Sequence, residues 1–221
     1  MSDTPLKVFV VDDDPAMRNS LPRALRKRGF EVDVFASAPD FLTQYDGTQP
    51  GCLVIDLRMP EMSGLELQER LGAEGQFLPM IFISGHGGVR ESVQAMKGGA
   101  MDFIEKPFRS AALVERIEAA FALLRERLEM REKCVELRQR FERLTAREAE
   151  IVSRIVACPA EISSKEIGRH LGISPRTIDH HRARILEKLE IRSTAELVGL
   201  ATRLRIDCEA SNFVSGLAPQ E

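Results

Sequence analysis

Residues 52–64 constrain the fold of this chain more than any other stretch. Four apolar residues, starting at Cys52, lead directly to Asp56, and a loop containing Pro60 and Gly64 follows. A short apolar run bounded by turn residues is typical of a strand that is buried on both faces of a parallel sheet. Asp56 is then expected at the carboxyl end of that strand, where open α/β sheets place their binding sites. An isolated Asp at such a position more often satisfies loop amides, so further features must support a functional role.

Three further apolar runs, at residues 8–11, 80–83 and 103–104, also lead to polar side chains. In chain order, these ends carry the acidic residues Asp12, Asp13 and Asp14, the hydroxyl of Ser84, and the ammonium group of Lys106. Crowded carboxylates repel one another unless a cation lies among them, and a few hard oxygen ligands suit Mg²⁺. A nucleophile, an acidic cluster, a hydroxyl and a fixed cation on four strand ends together predict a phosphoryl-transfer site.

The polar residues at these four strand ends make residues 1 to roughly 125 resemble the receiver domain of a two-component response regulator. The resemblance implies that Asp56 is the phosphoacceptor and that Asp12 and Asp13 form the acid pair. It implies Mg²⁺ as the cofactor, held by these three carboxylates and the backbone carbonyl of Arg58. A histidine kinase, which this chain does not contain, would supply the phosphoryl group.

The resemblance also assigns roles to three residues around the phosphoryl group. It implies that the switch and phosphate-binding residues are Ser84, Phe103 and Lys106. Many family members have Thr where this chain has Ser84, and some have Tyr where it has Phe103. The bond before Pro107 is expected to be cis, a state that only X–Pro bonds adopt cheaply.

Composition indicates an ordinary two-domain protein. A length of 221 residues allows two cores, and a hydrophobic content of 43% and a charged content of 29% are typical of soluble proteins. The first residues lack the pattern of a signal peptide, and no apolar run approaches the length of a membrane span. We therefore expect a cytoplasmic protein without a membrane partner. The four cysteines lack metal-binding spacing and are predicted to be reduced thiols: Cys52, Cys134, Cys158 and Cys208.

Charge differs between the two parts of the chain. Residues 1–109 contain 12 Lys and Arg against 16 Asp and Glu, a net charge of −4. Residues 141–207 contain 12 against 10, a net charge of +2 before three histidines are counted. Only the basic part is suited to a nucleic-acid backbone, although a charge of +2 alone decides little.

Strand-like and helix-like segments alternate over residues 1–109, which predicts an α/β fold. We expect a doubly wound, five-stranded parallel sheet of the flavodoxin-like receiver type as the core of the first domain. From Ser110 there is neither Gly nor Pro until Pro159. Residues 110–140 are therefore predicted to form the final receiver helix, which continues as a linker helix.

Apolar residues along this helix follow alternating steps of three and four, a heptad pattern over about three repeats. One interpretation is that the stripe simply packs on the receiver domain, as its first two turns must. We expect the receiver to be too short to cover the rest, so that a second copy of the chain covers it in a coiled-coil homodimer. The predicted dimer linker is Ile117, Phe121, Leu124 and Leu128.

Residues 141–207 contain four helix-start signals in a short span, which predicts a compact all-α domain. Thr145, Ser163 and Ser193 each begin a capping box of the form S/T-x-x-E, and Ser174 is followed by a proline at the first helical position. The turn at residues 171–173 joins the second and third helices in a helix-turn-helix arrangement. Residues 208–221 are interpreted as a C-terminal tail.

The third of these helices has one apolar and one polar face. At 100° per residue, Ile178, Ile185 and Leu189 fall on a single buried stripe. Arg and Thr on the outer face suit phosphate oxygens, whereas Asp, His and a small Ala can approach base edges in the major groove. A merely solvated charged face is the alternative. The candidate DNA contacts are Lys165, Arg176, Thr177, Asp179, His180, Ala183 and Arg184.

A second resemblance favours DNA binding. The motifs Leu-Thr-x-Arg-Glu at 144–148, Ile-Ser-x-Arg-Thr-Ile at 173–178 and His-Arg at 181–182 resemble the LuxR/FixJ-type helix-turn-helix domain. His181 matches the family histidine and is interpreted as structural. Asp179 stands where the family usually has Glu, so we expect a shifted base preference.

Together these features predict a phosphorylation-dependent, DNA-binding transcriptional regulator. Its partners would be a histidine kinase, a second copy of the chain after activation, and a pseudo-palindromic duplex operator. We expect no enzymatic activity beyond phosphoryl transfer to Asp56 and its hydrolysis. Arg58 and His86, two residues beyond the nucleophile and the hydroxyl, are expected to influence that hydrolysis, and the bulky Arg58 to slow it.

Two alternatives remain at this point. An aspartyl-phosphate hydrolase would share the nucleophile and Mg²⁺, but it would need a carboxylate two residues after the nucleophile, where this chain has Arg58. A receiver that acts only through protein contacts would use the helical domain as a docking module, and retention of DNA would distinguish it from a transcription factor.

Overall fold

A computed structural model of the protein describes residues 5–85, 89–158 and 163–212, with side chains described up to residue 204. The chain divides into two compact units, one that ends at Arg127 and one that begins at Leu128. Within the described residues, no helix combines the length and the apolar character needed to cross a membrane.

The first unit contains a five-stranded sheet in the order β2-β1-β3-β4-β5, and all its neighbouring strands are parallel. The strands are β1 Lys7–Val11, β2 Glu31–Phe35, β3 Gly51–Asp56, β4 Met80–Ser84 and β5 Asp102–Glu105. The helices between and after them are α1 Pro15–Arg26, α2 Ala38–Gln44, α3 Gly64–Ala73, α4 Val89–Lys97 and α5 Ser110–Glu142. The predicted doubly wound α/β fold is confirmed.

Apolar cores lie on both faces of the sheet. Every residue of β3 and β4 is buried, which explains why these strands are continuous apolar runs without alternating polar positions. Successive residues of β1 enter opposite cores: Phe9 belongs to one cluster, whereas Val8 and Val10 belong to the other. Apolar side chains therefore cover both faces of the sheet, and polar side chains occur at its carboxyl edge.

The first three helices begin at capping residues. Asp14 caps α1 and Ser37 caps α2. Ser63 and Glu66 form a reciprocal capping box at the start of α3. Gly64 follows immediately, and a Cβ atom there would lie 2.6 Å from the backbone oxygen of Asp56. Only glycine allows the helix to begin so close to the end of β3.

The structure corrects the prediction for the dimer linker. Ile117, Phe121 and Leu124 are 0%, 6% and 4% exposed and belong to a core cluster of the first unit. The ring of Phe30 packs edge-on against Phe121 at a centroid distance of 5.8 Å. The receiver is thus long enough to cover the stripe as far as Leu124, so these residues cannot form a seam with another chain.

The first unit also holds α5 at the next turn. The guanidinium carbon of Arg127 lies 3.5 Å from the centroid of the Phe77 ring, in a cation–π contact. Leu128, the last residue of the predicted seam, is half-buried and is the first residue of the second unit.

The second unit is helical, and a single apolar cluster forms its core. Its helices after α5 are α6 Ala146–Ala157, α7 Ser164–Leu171, α8 Pro175–Leu189 and α9 Thr194–Asn212. The predicted stripe of α8 is confirmed, since Ile178, Ile185 and Leu189 are at most 1% exposed. The predicted C-terminal tail overlaps the end of α9, and residues 213–221 lie outside the described residues.

Most of the predicted caps in this unit are present. The boxes at Thr145 and Ser163 form in both directions, and Ser174 caps α8 with Pro175 at its first position. The third box differs. The amide of Glu196 donates to Ser193 Oγ at 3.1 Å, but the Glu196 carboxylate accepts from the amide of Arg192 at 2.9 Å. The cap is therefore made one residue earlier than the box pattern predicts.

Candidate functional site

Three of the predicted site residues meet at the carboxyl edge of the sheet. Asp12 follows β1, Asp56 ends β3, and Lys106 follows β5. Lys106 Nζ lies 2.9 Å from Asp12 Oδ2 and 2.5 Å from Asp56 Oδ1. One ammonium group therefore bridges two carboxylates that are 44 residues apart in the chain.

Backbone amides hold the other oxygen of each carboxylate. The amide of Asp14 donates to Asp12 Oδ1 at 2.9 Å, and the amide of Arg58 donates to Asp56 Oδ2 at 2.8 Å. Asp12 is 1% exposed and Asp56 is 8% exposed. Both carboxylates are thus fixed in orientation, and Asp56 is the one with more access to solvent.

Burial and hydrogen bonding act against each other in the electrostatics of this site. Burial raises the pKa of Asp12 above its ordinary value, because hydrogen bonds from Lys106 and the Asp14 amide offset only part of the cost of desolvation. Burial also lowers the pKa of Lys106, but hydrogen bonds to Asp56 and Asp12 more than compensate, so that pKa is raised. The site keeps its lysine charged and contains more negative charge than one lysine can neutralise.

Ser84 and Phe103 lie on the last two strands of the sheet, β4 and β5. Ser84 ends β4 and is 2% exposed, and its carbonyl accepts a hydrogen bond from the amide of Lys106 at 2.7 Å. Phe103, on β5, is half-buried against the core cluster that includes Leu57 and Met59. The Lys106–Pro107 bond is cis, as the resemblance implied.

Asp13 and Arg58 point differently from the buried pair. Asp13 is exposed. The Arg58 side chain is 62% exposed and forms an ion pair with Glu91 of α4 at 3.1 Å. The influence of Arg58 on hydrolysis stays a prediction, and His86 lies outside the described residues.

The predicted Mg²⁺ ligands fit that ion in chemistry but not as a preformed cage. No group of three or more His, Cys, Asp or Glu side chains is arranged to hold a metal within the described ranges. Mg²⁺ does not need such a cage, since it usually keeps several waters and binds through one or two carboxylates and a phosphate. The buried carboxylate of Asp12, whose ionised form lacks sufficient compensation, is suited to a cation. Asp56 adds a second oxygen donor group beside it.

The supporting roles of three residues were not predicted from the sequence. Arg18 Nη1 donates to the backbone oxygens of Asp12 at 2.9 Å and Asp13 at 2.6 Å, and no local pattern marked it. Gly64 permits the close approach described above. Gln68, 5% exposed, donates to the carbonyl of Ala95 at 3.0 Å and so attaches α3 to α4. A polar residue beside the apolar Leu67 was the available signal for Gln68.

In the second unit, α8 presents a polar face. Every candidate DNA contact is exposed, both on α8 and on α7: Lys165, Arg176, Thr177, Asp179, His180, Ala183 and Arg184. Asp179 also has a partner within the unit, because the hydroxyl of Ser164 donates to its Oδ1. The structure therefore brings the candidates to one unit, with Asp179 anchored to the neighbouring helix.

Comparisons with known proteins agree with both units. Residues 8–118 match the family model described as the response regulator receiver domain. Residues 142–201 match the model described as bacterial regulatory proteins, luxR family. Together the two matches account for most of the chain.

Curated relatives are similar over nearly their full length. The transcriptional regulatory protein TdiR of Thauera aromatica is 40% identical over 201 residues, which cover 91% of this chain and 87% of TdiR. The transcriptional regulatory protein FixJ of Rhizobium meliloti (strain 1021) is 40% identical over 198 residues, which cover 90% of this chain and 96% of FixJ.

Solved structures show the same architecture. The response regulator StyR is 43% identical, with a TM-score of 0.79 and coverage of 90% of this chain and 99% of StyR. Full-length FixJ from B. japonicum is 38% identical, with a TM-score of 0.56 and coverage of 92% of this chain and 98% of that chain. The chain therefore belongs to the FixJ/NarL class of response regulators and is a DNA-binding response regulator with a receiver domain and a LuxR-type helix-turn-helix domain.

Proposed function

We propose that this chain is a cytoplasmic transcriptional regulator whose DNA binding depends on phosphorylation of Asp56 by a partner histidine kinase. The observation that carries this proposal is the Lys106 ammonium group, held at once by Asp12 and Asp56. A nucleophilic carboxylate beside a fixed cation is the arrangement that phosphoryl transfer requires, because the reaction depends on positioning and charge stabilisation.

The chemistry follows from these positions. A carboxylate oxygen of Asp56 attacks the phosphorus of the donor in line, so that an O–P bond forms and the bond to the donor's leaving group breaks. The amide of Arg58 keeps the carboxylate oriented. Lys106 then binds a phosphoryl oxygen, and the hydroxyl of Ser84, at the end of the neighbouring strand, binds another.

Asp12, Asp13, Asp56 and the backbone carbonyl of Arg58 would hold Mg²⁺. When bound, the ion neutralises charge on the phosphoryl group and on the crowded carboxylates. Arg18 supports this edge because it fixes the backbone of Asp12 and Asp13. Beyond this transfer and its hydrolysis, the chain turns over no free substrate, since Arg58 occupies the position where a phosphatase would need a second acid.

Dimerisation is proposed to use the α4 side of the receiver, because the α5 stripe is buried in the first unit. Ala95 is the buried residue of α4. Val89, Val93 and Met96 are 82%, 45% and 48% exposed. A phosphoryl group on Asp56 draws Ser84 inward and lets Phe103 follow, which changes the face that α4 and β5 present to a second receiver.

DNA binding follows from dimerisation. Two copies place two α8 helices at half-sites about one helical turn, roughly 34 Å, apart on a pseudo-palindromic operator. Linked half-sites bind more tightly through effective concentration, without any new base contact. The exposed face of α8 provides the contacts in each half-site.

The test compares the full-length protein with Asp56→Asn, and with Asp40→Asn as a control at an exposed carboxylate of α2. Each protein is treated with acetyl phosphate and Mg²⁺, and its phosphorylation, sedimentation and retention of duplexes from a random pool are measured. We expect wild type and Asp40→Asn to be labelled, to dimerise and to retain DNA, and Asp56→Asn to do none of these. Stoichiometric labelling of Asp56→Asn would contradict the site. Labelling and dimerisation without retained DNA would favour the docking-module alternative.

A further inference from the structure

A chain of side-chain hydrogen bonds connects α8 to the two helices that flank it in sequence. The hydroxyl of Ser164, the first residue of α7, donates to Asp179 Oδ1 on α8. Ser164 Oγ accepts from Arg182 Nη1 at 3.1 Å, and Arg182 Nη2 donates to Thr194 Oγ1 at 2.9 Å. Thr194 is the first residue of α9, so three helices share one network.

The order of donors gives this network a direction. Arg182 lies three residues after Asp179, so both side chains are on the same side of α8. The positive guanidinium donates to the serine oxygen, which polarises the hydroxyl and strengthens the bond that it donates to the carboxylate. Ser164, Arg182 and Thr194 are half-buried, whereas Asp179 is exposed. The network therefore ends at the surface, in an anchored carboxylate.

The anchored carboxylate keeps one oxygen for a ligand. Among the hydrogen bonds of the described residues, Asp179 uses Oδ1 and none uses Oδ2. Without the anchor, Asp179 would exchange between rotamers, and the negative phosphates of a bound duplex would repel it away from the groove. With the hydrogen bond from Ser164, the Asp179 side chain is preorganised in the DNA-free protein.

We propose that Ser164 is a positioning residue for base recognition: it fixes Asp179 so that Oδ2 accepts a hydrogen bond from the amino group of a cytosine in the major groove. Cytosine and adenine both present an amino donor in the major groove, but adenine places its N7 acceptor beside that donor, so cytosine suits a carboxylate better. Ser164 itself contacts no base, and Arg182 acts through Ser164. The inference rests on the proposed binding of duplex DNA by α8.

The experiment uses full-length protein treated with acetyl phosphate and Mg²⁺. Wild type, Ser164→Ala, Ser164→Thr and Asp179→Asn each select duplexes from a random pool. Binding is then measured for the selected duplex, for its single-base variants and for an unrelated duplex, at two salt concentrations. Ser153→Ala, an exposed serine on α6, is the matched control. The melting temperature of each variant shows that it is folded.

For wild type, Ser153→Ala and Ser164→Thr, we expect the same preference for cytosine at one position of each half-site. In Ser164→Ala, the ratio of affinities for the cytosine duplex and for its single-base variants should fall roughly tenfold. Its affinity for the unrelated duplex and its salt dependence should be unchanged. Asp179→Asn keeps an oxygen for Ser164 but replaces the other acceptor with an amino donor. Its preference at the same position should therefore move from cytosine to a base with an acceptor.

Three outcomes would overturn the inference, and they are distinguishable. If Ser164→Ala selects the wild-type sequence with wild-type discrimination, the orientation of Asp179 does not depend on Ser164. If it loses affinity equally for all duplexes, the network only supports the fold. If wild type retains no duplex at all, the proposed DNA binding fails, and the inference fails with it.

Discussion

Two buried carboxylates, one in each unit, have opposite electrostatic properties. Asp12 of the receiver and Glu148 of the helical unit are both 1% exposed. Each accepts a hydrogen bond from one lysine, Asp12 from Lys106 at 2.9 Å and Glu148 from Lys188 at 2.6 Å. Yet the pKa of Asp12 is raised, whereas that of Glu148 is lowered to about 2.

The difference comes from how much compensation each carboxylate receives. Burial is the largest influence on both and raises the pKa in each case. Lys106 is shared between Asp12 and Asp56, and the negative charge of Asp56 raises the pKa of Asp12 further. Both carboxylates accept from a backbone amide, Asp12 from Asp14 at 2.9 Å and Glu148 from Thr145 at 2.8 Å. Among the described residues, however, Lys188 pairs with no carboxylate other than Glu148.

This contrast separates a site from a structural support. Glu148 is a satisfied buried ion whose bonds stabilise the start of α6. Asp12 belongs to a cluster with more negative charge than its lysine neutralises, so a cation or a change at Asp56 would relieve it. Charge that is poorly compensated within the fold is charge that a ligand can compensate.

The largest expected effect comes from a new buried carboxylate that has no lysine beside it. Leu124→Glu places a charge among the apolar side chains that cover α5, and we expect it to destabilise the receiver by about 4 kcal/mol or to unfold it. Ala122→Glu, two residues earlier and exposed, should change stability by less than about 0.5 kcal/mol. Urea unfolding measures both. Equal, small effects of the two variants would show that Leu124 is not covered within the receiver.

The second-largest effect on stability should come from removing the charge of Glu148, which is hydrogen-bonded to Lys188. Because the folded pKa of Glu148 is depressed from 4.5 to about 2, its stabilisation is complete above pH 4.5 and is lost as the pH falls toward 2. Glu148→Gln should therefore cost on the order of 3 kcal/mol at pH 7 and progressively less below pH 4.5. Calorimetry of the full chain across this range, with the exposed Glu150→Gln as control, measures the difference. A cost that does not change with pH would contradict the ionic explanation.

Removing the shared cation should impair the proposed chemistry. Lys106→Met deletes the charge between Asp12 and Asp56, and we expect phosphorylation by acetyl phosphate to slow roughly 10²-fold, as when one electrostatic donor is removed from an active site. Lys97→Met, at the exposed end of α4, should leave the rate unchanged. Single-turnover labelling measures both rates. Similar rates for the two variants would remove Lys106 from the phosphoryl-transfer mechanism.

The smallest effect is expected at Asp12, where removing the charge should stabilise the protein, whereas removing the charge of Glu148 destabilises it. Since the pKa of Asp12 is raised in the folded state, its ionised form opposes folding, and its contribution becomes more favourable as the pH falls through the folded pKa toward 3.8. Asp12→Asn should therefore stabilise the receiver at pH 7, with a smaller gain in acid. Asp13→Asn, at an exposed neighbour, is the control in urea unfolding. Destabilisation by Asp12→Asn at pH 7 would reverse the comparison with Glu148.

Local patterns determined the secondary structure of this protein. The four apolar runs that the sequence marks, at residues 8–11, 52–55, 80–83 and 103–104, all lie within strands of the sheet. The residues that start helices, such as Thr145 and Ser174, were also predicted. Apolar runs and capping residues act over a few positions, so the chain alone carries this information.

The sequence also indicated which polar side chains end the strands, but not how their charges balance. The chain order marked Asp12, Asp56 and Lys106. That Lys106 serves both carboxylates, and that Arg18 fixes the adjacent backbone, depends on distances across the sheet. No local pattern contains those distances.

The covering of α5 and the anchoring of Asp179 were decided only by tertiary structure. A heptad pattern shows that a helix has an apolar stripe, but it does not show what covers the stripe. Here the stripe on α5 is covered by the sheet and by residues distant in the chain, such as Phe30 and Phe77. Likewise, Asp179 is an unremarkable exposed acid in the sequence, and Ser164, fifteen residues earlier, gives it a fixed position. Periodicity depends on neighbours in the chain, whereas burial and hydrogen-bond partners depend on neighbours in space.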